Sequence, residues 1–237
     1  DTVKLKGIIA AEKPDVVVTS YSHDNTLAAI ARSSGKRPRV VRFFHGAEPR
    51  QDPLSRLVLG RTDAFYFFSR RYRDNFAAAL PSLAPRLHCL PGPVDVGAFQ
   101  PGTGGTIFRE AFGLTDKHLV LGMVARFQEG RGQEAVIRAF AEVTRRHPHA
   151  RLMLVGKGET QKEMEGIVSA LRLTDRVVFA GFRTIDLTDA YRAMDVFIQL
   201  AEGHDTSCRA VIEAMATGLP VVCAARGAMA ELYRDGI

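Results

Sequence analysis

From residue 205 the chain reads Asp205-Thr206-Ser207-Cys208-Arg209-Ala-Val-Ile-Glu213, then runs on into Ala-Met-Ala-Thr-Gly-Leu-Pro-Val-Val222. Short hydroxyl side chains ahead of an apolar, helix-compatible run put fresh backbone N–H groups at the start of a helix. Such an end attracts anions, while a carboxylate further along accepts hydrogen bonds from hydroxyls. A ligand carrying both phosphate and sugar hydroxyls would suit the pair. Asp205, Thr206 and Ser207 are also ordinary N-cap residues, and capping and ligand contact can hold at once. Arg209 opposes the helix dipole, which either signals an anion nearby or marks plain surface.

Other residues invite chemistry to different degrees. Arg126 follows an apolar run and precedes a glycine-containing loop, where functional residues gather in α/β sheets. Arg131 lies in Gly130-Arg-Gly132, which would equally make a flexible turn. His45 precedes Gly46 at the end of another apolar run, as a functional group or a hydrogen-bonded structural histidine. His147-Pro-His149 has no acidic or cysteine partner and reads as a helix terminus rather than a metal site. Gly156-Lys-Gly158 after a strand lacks the third glycine of a dinucleotide loop, since Gln161 stands there, and no acidic residue ends the next strand. Arg70, Arg71 and Arg73 form a basic helix face, solvated or turned to a membrane.

The elements that must position these residues alternate along the chain. Strands are expected at 15–19, 39–44, 64–68, 86–90, 119–124, 152–155, 177–180, 196–200 and 221–223. Helical patterns are expected at 3–13, 24–32, 54–59, 69–80, 133–146, 160–171, 185–194 and 207–217. Alternation of this kind argues for βα units and parallel sheet. Residues 91–105, Pro-Gly-Pro-Val-Asp-Val-Gly-Ala-Phe-Gln-Pro-Gly-Thr-Gly-Gly, are rich in turn formers and read as a connection between domains 1–100 and 101–237.

Bulk properties narrow the class. A chain of 237 residues can bury substantial cores, and a charged fraction of 24% is that of an ordinary globular protein. The net charge of +6 comes mainly from arginine, which suits an anionic ligand or an anionic lipid surface. The basic residues are dispersed and carry no nucleic-acid-binding motif, so nucleic acid is not expected as a partner. Cys89, Cys208 and Cys223 are too few and too scattered for a disulfide framework or zinc site, which fits a reducing compartment. No apolar run approaches the ~18 residues of a spanning helix. The first residues read as the interior of a domain.

Four segments together resemble the retaining nucleotide-sugar glycosyltransferases of family 4. They are Val41-Arg-Phe-Phe-His-Gly46; Leu90-Pro-Gly-Pro-Val-Asp95 with Phe99; Gly122-Met-Val-Ala-Arg126 with Arg131-Gly132; and Asp205 to Val222 followed by Gly227 and Glu231. The resemblance covers nearly all of the chain. It implies an α/β fold of two Rossmann-like parallel-sheet domains facing a cleft, the GT-B architecture. It also implies a fragment, with the N-terminal domain incomplete and the second domain cut short.

What the resemblance implies about chemistry is specific. A sugar passes from a nucleotide donor, UDP- or GDP-linked, to an acceptor hydroxyl with retention of configuration and without a metal or other cofactor. Arg126, with Arg131 at the family's usual lysine position, neutralises the donor diphosphate, whose developing charge must be stabilised as the glycosidic bond breaks. Glu213 matches the carboxylate that holds the nucleotide ribose. Asp205 stands where the family usually has glutamate, with seven residues between it and Glu213. His45 and Gly46 border the reaction centre, and Thr206, Ser207, Arg209 and Phe182 contact substrate. Phe182 and Arg183 belong to the loop expected to meet the base. A glycan or lipid-linked acceptor in cell-surface polysaccharide, lipopolysaccharide or glycolipid synthesis would place the protein in the cytoplasm, in peripheral contact with an anionic membrane. Two rivals stay open: a non-catalytic nucleotide-sugar-binding module, and a GT-B epimerase of UDP-N-acetylhexosamine.

Overall fold

The computed structural model describes residues 1–32, 38–45, 52–90, 92–200, 208–225 and 229–232. They divide into two compact units, one taking in 1–92 and returning at 231, the other taking in 93–200 and 208–230.

The first unit runs α1 (Thr2–Glu12), β1 (Val16–Thr19), α2 (Ser22–Ala31), β2 (Arg39–Phe44), α3 (Pro53–Gly60), β3 (Ala64–Phe67), α4 (Arg70–Ala79), a 3-10 turn (Pro81–Arg86) and β4 (Leu87–Cys89). Its strands are parallel and lie in chain order. Alternate residues of β2 and β3 enter an aromatic core in which Phe44, Phe65, Phe67 and Phe76 pack with Leu59, Leu83 and Leu87. Beside it runs a buried polar chain. Thr19 donates to Asn25 Oδ1 at 3.2 Å, and Asn25 Nδ2 donates to Thr62 Oγ1 at 3.1 Å. Helix starts follow local chemistry: Asp52 accepts from the Ser55 amide at 3.0 Å, with Pro53 pre-set for the first helical position.

Ser69 caps α4, as its residue type leads one to expect, and a second cap comes from far along the chain. Glu231 accepts from Ser69 Oγ at 2.6 Å and from the Arg70 and Arg71 amides at 2.7 and 2.8 Å. Burial pushes its pKa up, but the Ser69 hydroxyl and the two amides outweigh that and leave it below the ordinary 4.5. Its stabilising contribution is therefore fully present above the unfolded-state value and is lost as pH falls through the lower folded one. Glu231→Gln should destabilise the chain at pH 7, and the gap from wild type should close near pH 3 in urea unfolding. A gap that ignores pH would remove the charge from this cap.

The second unit runs α5 (Gly105–Ala111), β5 (Leu119–Val124), α6 (Gln133–Arg146), β6 (Ala150–Val155), α7 (Gln161–Ala170), β7 (Val177–Gly181), α8 (Leu187–Arg192), β8 (Val196–Gln199), α9 (Arg209–Ala216) and β9 (Val221–Cys223), with α10 (Met229–Leu232) beyond. The sheet is parallel in the order β7-β6-β5-β8-β9. β6 is buried along most of its length, as a central parallel strand must be. Met123, Phe127, Ile137, Phe140, Leu152 and Leu154 lead the core.

This is the α/β, parallel-sheet class expected from the alternation. Two details differ. The seven-residue α5 occupies the end of the turn-rich stretch, too short for its periodicity to show. Helix α9 begins at Arg209, its N-cap Cys208 held left-handed at φ 47° with no side-chain cap bond, where the sequence reading starts the helix at Ser207. No helix among the described residues is long and apolar enough to cross a membrane.

Candidate functional site

In the second unit the chain lays β6 and β7 on one side of β5, then crosses to place β8 and β9 on the other. The order reverses between β5 and β8, and in open parallel sheets ligands bind at the carboxyl ends of the strands at such a point. Arg126 stands two residues beyond β5. The Gln133 side chain, at the start of α6 and 4% exposed, donates to the Arg126 carbonyl at 2.8 Å and so fixes its backbone. The loop then runs over the end of β8, since a Cβ on Gly132 would lie 2.7 Å from the Leu200 carbonyl oxygen.

A cavity of about 660 Å³ opens at the carboxyl ends of β5, β6 and β7. Val124, Val155 and Leu187 give it an apolar floor, and Arg126, Lys157 and Arg183 give it three cations. The Lys157 ammonium sits 4.9 Å over the Phe182 ring. Arg183 is held by the Ala180 carbonyl at 2.7 Å and Asp186 at 3.1 Å. Arg126 faces Glu159 only at 3.9 Å, with both side chains 64% exposed, so that pair contributes little and the guanidinium stays available. Among the described residues no carboxylate lines this cavity. A second hollow, about 670 Å³, carries Glu129, Glu134 and Glu163 and would repel a diphosphate. A third, about 550 Å³ and beside Lys6 and Asp15 in the first unit, lies at the amino end of β1, the wrong end of a parallel sheet for a ligand.

The Gly156-Lys157-Gly158 turn has a structural task. A Cβ on Gly156 would collide with the Ala125 carbonyl, and one on Gly158 with the Phe127 carbonyl. The two loops are laced together by Phe127 N–H to the Lys157 carbonyl at 3.1 Å and Thr160 N–H to the Phe127 carbonyl at 3.3 Å. The glycines let the β6 loop lie directly on the β5 loop, which brings Lys157 beside Arg126.

Glu213 is buried, 4% exposed. Its carboxylate accepts from Tyr191 Oη at 2.8 Å and from Arg209 Nε at 2.7 Å. The anion that Arg209 calls for is thus supplied one helical turn away. Tyr191, itself fully buried and packed edge-on to Phe99 at 5.7 Å, has its pKa raised by burial and then by the Glu213 charge and hydrogen bond. Tyr191→Phe would leave one buried carboxylate oxygen without a donor, at a cost of about 1–3 kcal/mol. Urea unfolding should show that loss, and adding Glu213→Gln should recover part of it, since contacting residues do not act additively.

The sequence-predicted residues therefore fall into groups. Arg126 and Phe182 share the cationic cavity. Arg131 lies on the same loop, half-buried, its amide donating to the Gln128 carbonyl at 3.3 Å, but it is not among the lining residues. Glu213 and Arg209 pair with each other, and neither lines that cavity. His45 ends β2 in the first unit, its ring 6.2 Å from Tyr21 and 5.3 Å from Phe68. Gly46, Asp205, Thr206 and Ser207 lie outside the described residues. Of the basic face on α4, Arg73 pairs with Asp74 at 2.7 Å.

Sequence reasoning assigned no role to Lys157, Tyr191 or Gln199. Gln199 ends β8 beside the switch point, 3% exposed, with its Oε1 buried and without a hydrogen-bond partner among the described residues. One polar residue in Val196-Phe-Ile-Gln-Leu200 was the available signal.

Two parallel-sheet units, one with a cationic cavity at its strand ends, define an α/β protein equipped to bind an anion beside an aromatic surface. Comparison with known proteins gives the family. Residues 106–237 match the model described as Glycosyl transferases group 1, and residues 1–97 that described as Glycosyltransferase Family 4. The chain belongs to the group 1, family 4 glycosyltransferases. It is 33% identical over 224 residues to the GDP-mannose-dependent alpha-(1-6)-phosphatidylinositol monomannoside mannosyltransferase of Mycolicibacterium smegmatis, covering 89% of this chain and 58% of that protein. It is 32% identical over 154 residues to the mannosylfructose-phosphate synthase of Agrobacterium fabrum, covering 60% and 33%. The crystal structure of Anabaena Alr3699/HepE in complex with UDP matches all of this chain and 66% of its own, at 23% identity and a TM-score of 0.85, and shares the GT-B fold. The chain thus spans less than two thirds of the length of these relatives.

Proposed function

We propose that the protein is a retaining glycosyltransferase, which moves a sugar from a nucleotide donor to an acceptor hydroxyl without a metal ion. The observation that carries this is the cavity of the second unit: three cations, and no carboxylate among the described lining residues, at the strand ends beside the topological switch, in a chain of this family. The cations suit a diphosphate, and Phe182 with Arg183 offers a surface for the base. The M. smegmatis relative is named for GDP-mannose, which makes a GDP-linked hexose the first donor to try.

In this reading the bond from the anomeric carbon to the diphosphate oxygen breaks heterolytically. The electron pair stays on the phosphate, where Arg126, Lys157 and Arg131 stabilise it. The acceptor oxygen attacks the same face of the sugar, and its proton passes to the departing phosphate oxygen. Retention follows without a covalent enzyme intermediate. Glu213 orients the ribose and His45 borders the acceptor. An acceptor in cell-surface glycolipid or polysaccharide synthesis, met at the inner face of the membrane, fits the arginine-rich surface.

A thermal-shift screen of GDP, UDP and their hexoses tests donor binding. A ligand at a hundred times its Kd should stabilise the chain by about 2.7 kcal/mol. No shift from any nucleoside diphosphate would count against the reading. Binding with no transfer by the full-length protein would favour a non-catalytic module, and release of free or epimerised sugar without acceptor would favour an epimerase.

A further inference from the structure

The two oxygens of the buried Glu213 carboxylate are held by partners of opposite character. Oε2 accepts from Tyr191 Oη at 2.8 Å, and Oε1 accepts from Arg209 Nε at 2.7 Å. Tyr191 is fully buried in α8, its ring between those of Phe99 and Phe197, each with its centroid 5.7 Å away. A phenol packed on both sides has no room to swing. Burial, and then the Glu213 charge and hydrogen bond, raise its pKa, so it stays protonated and remains a donor at neutral pH.

Arg209 is the reverse. Its side chain is 73% exposed, against 5% for that of Glu213. The pair spans one turn of α9 with the cation on the amino side, which is the weaker order for an i,i+4 pair and opposes the helix dipole. Solvent screens the exposed guanidinium further. Glu213 therefore has one fixed partner and one exchangeable partner, and the exchangeable one faces water.

Chemistry limits what can take the place of Arg209. A buried carboxylate that loses a donor is costly to leave bare, so the replacement must itself donate. Two neighbouring hydroxyls on a sugar ring can do so from a single ligand.

We infer that Tyr191 is a positioning residue of the donor site: it pins Glu213 Oε2 and so aims Oε1 at the ribose hydroxyls, which displace Arg209 when the nucleotide binds. Tyr191 itself touches no substrate. The inference rests on the reading of Glu213 as the carboxylate that orients the ribose.

Calorimetric titration of the full-length protein with GDP and UDP, each beside its 2′,3′-dideoxy counterpart, tests this. Wild type should bind the tighter ribonucleotide at least about tenfold better than its dideoxy form, the worth of a hydrogen bond to a charged group. In Tyr191→Phe that preference should fall to within about threefold of parity, since the two contacts are coupled through one carboxylate. A merely structural loss would weaken both nucleotides alike and leave the preference intact. A wild-type preference that survives in Tyr191→Phe would overturn the inference and leave Glu213 on the ribose. Binding of both forms equally by wild type would instead overturn the ribose role of Glu213, and the inference with it. Should Tyr191→Phe not fold, the Tyr191 Cζ resonance of wild type decides. It should move with the ribonucleotide and stay with the dideoxy form, and a resonance that treats the two alike would overturn the inference.

Discussion

Arg126→Ala in the full-length enzyme is expected to cut sugar transfer about 10²- to 10³-fold, the usual cost of losing one donor aimed at a developing oxyanion. Tm should barely move, because the side chain is 64% exposed and its contact with Glu159 is long. Its backbone is held by Gln133, so the truncation leaves the loop in place. Arg126→Lys should recover part of the rate, since the charge returns without the planar fork. The measurement is initial rate at saturating donor. Turnover equal to wild type would remove Arg126 from the mechanism and leave Lys157 and Arg131 as the stabilising charges.

The largest loss of stability is expected from Gly158→Ala. The new Cβ would run into the Phe127 carbonyl, which is backbone and cannot swing aside as a flexible side chain would. Phe127 is 1% exposed and anchors the core under the loop, so relief by moving that strand end is also blocked. A cost of about 3 kcal/mol or more is expected from overpacking against fixed backbone. At this chain length that is a fall in Tm of very roughly 6–12 °C. Gly156→Ala should behave similarly, with the added strain of φ 147°. A Gly158→Ala protein that melts with wild type would show that the β5 and β6 loops can part freely, and the case for a fixed Arg126–Lys157 pair would go with it.

Much of this architecture was legible in the residues, and the reasons it stopped being legible are physical. The strand Leu119–Val124 falls where its apolar run puts it, because a central parallel strand covered on both faces writes itself as a continuous apolar segment. The burial of Glu213 was readable from Val211, Ile212, Ala214 and Met215 around it. Its partner Tyr191 was not, since the two meet across 22 residues from separate helices. Local pattern also misdirects at Gly156-Lys-Gly158, which looks like a phosphate cradle. These glycines answer to another stretch of backbone, and only the pairing of β5 with β6 shows which.

The Glu231 cap of α4 bears on how the polypeptide reaches its native state. The amino end of α4 is finished by a side chain 160 positions later, so a nascent chain emerging from the ribosome lacks this cap on Ser69, Arg70 and Arg71 until that stretch has been made. The segment from 93 to 230 has all its strands in hand before that cap arrives. Vectorial maturation should therefore run against the usual amino-to-carboxyl order, the later-made sheet settling first and the earlier one locking last.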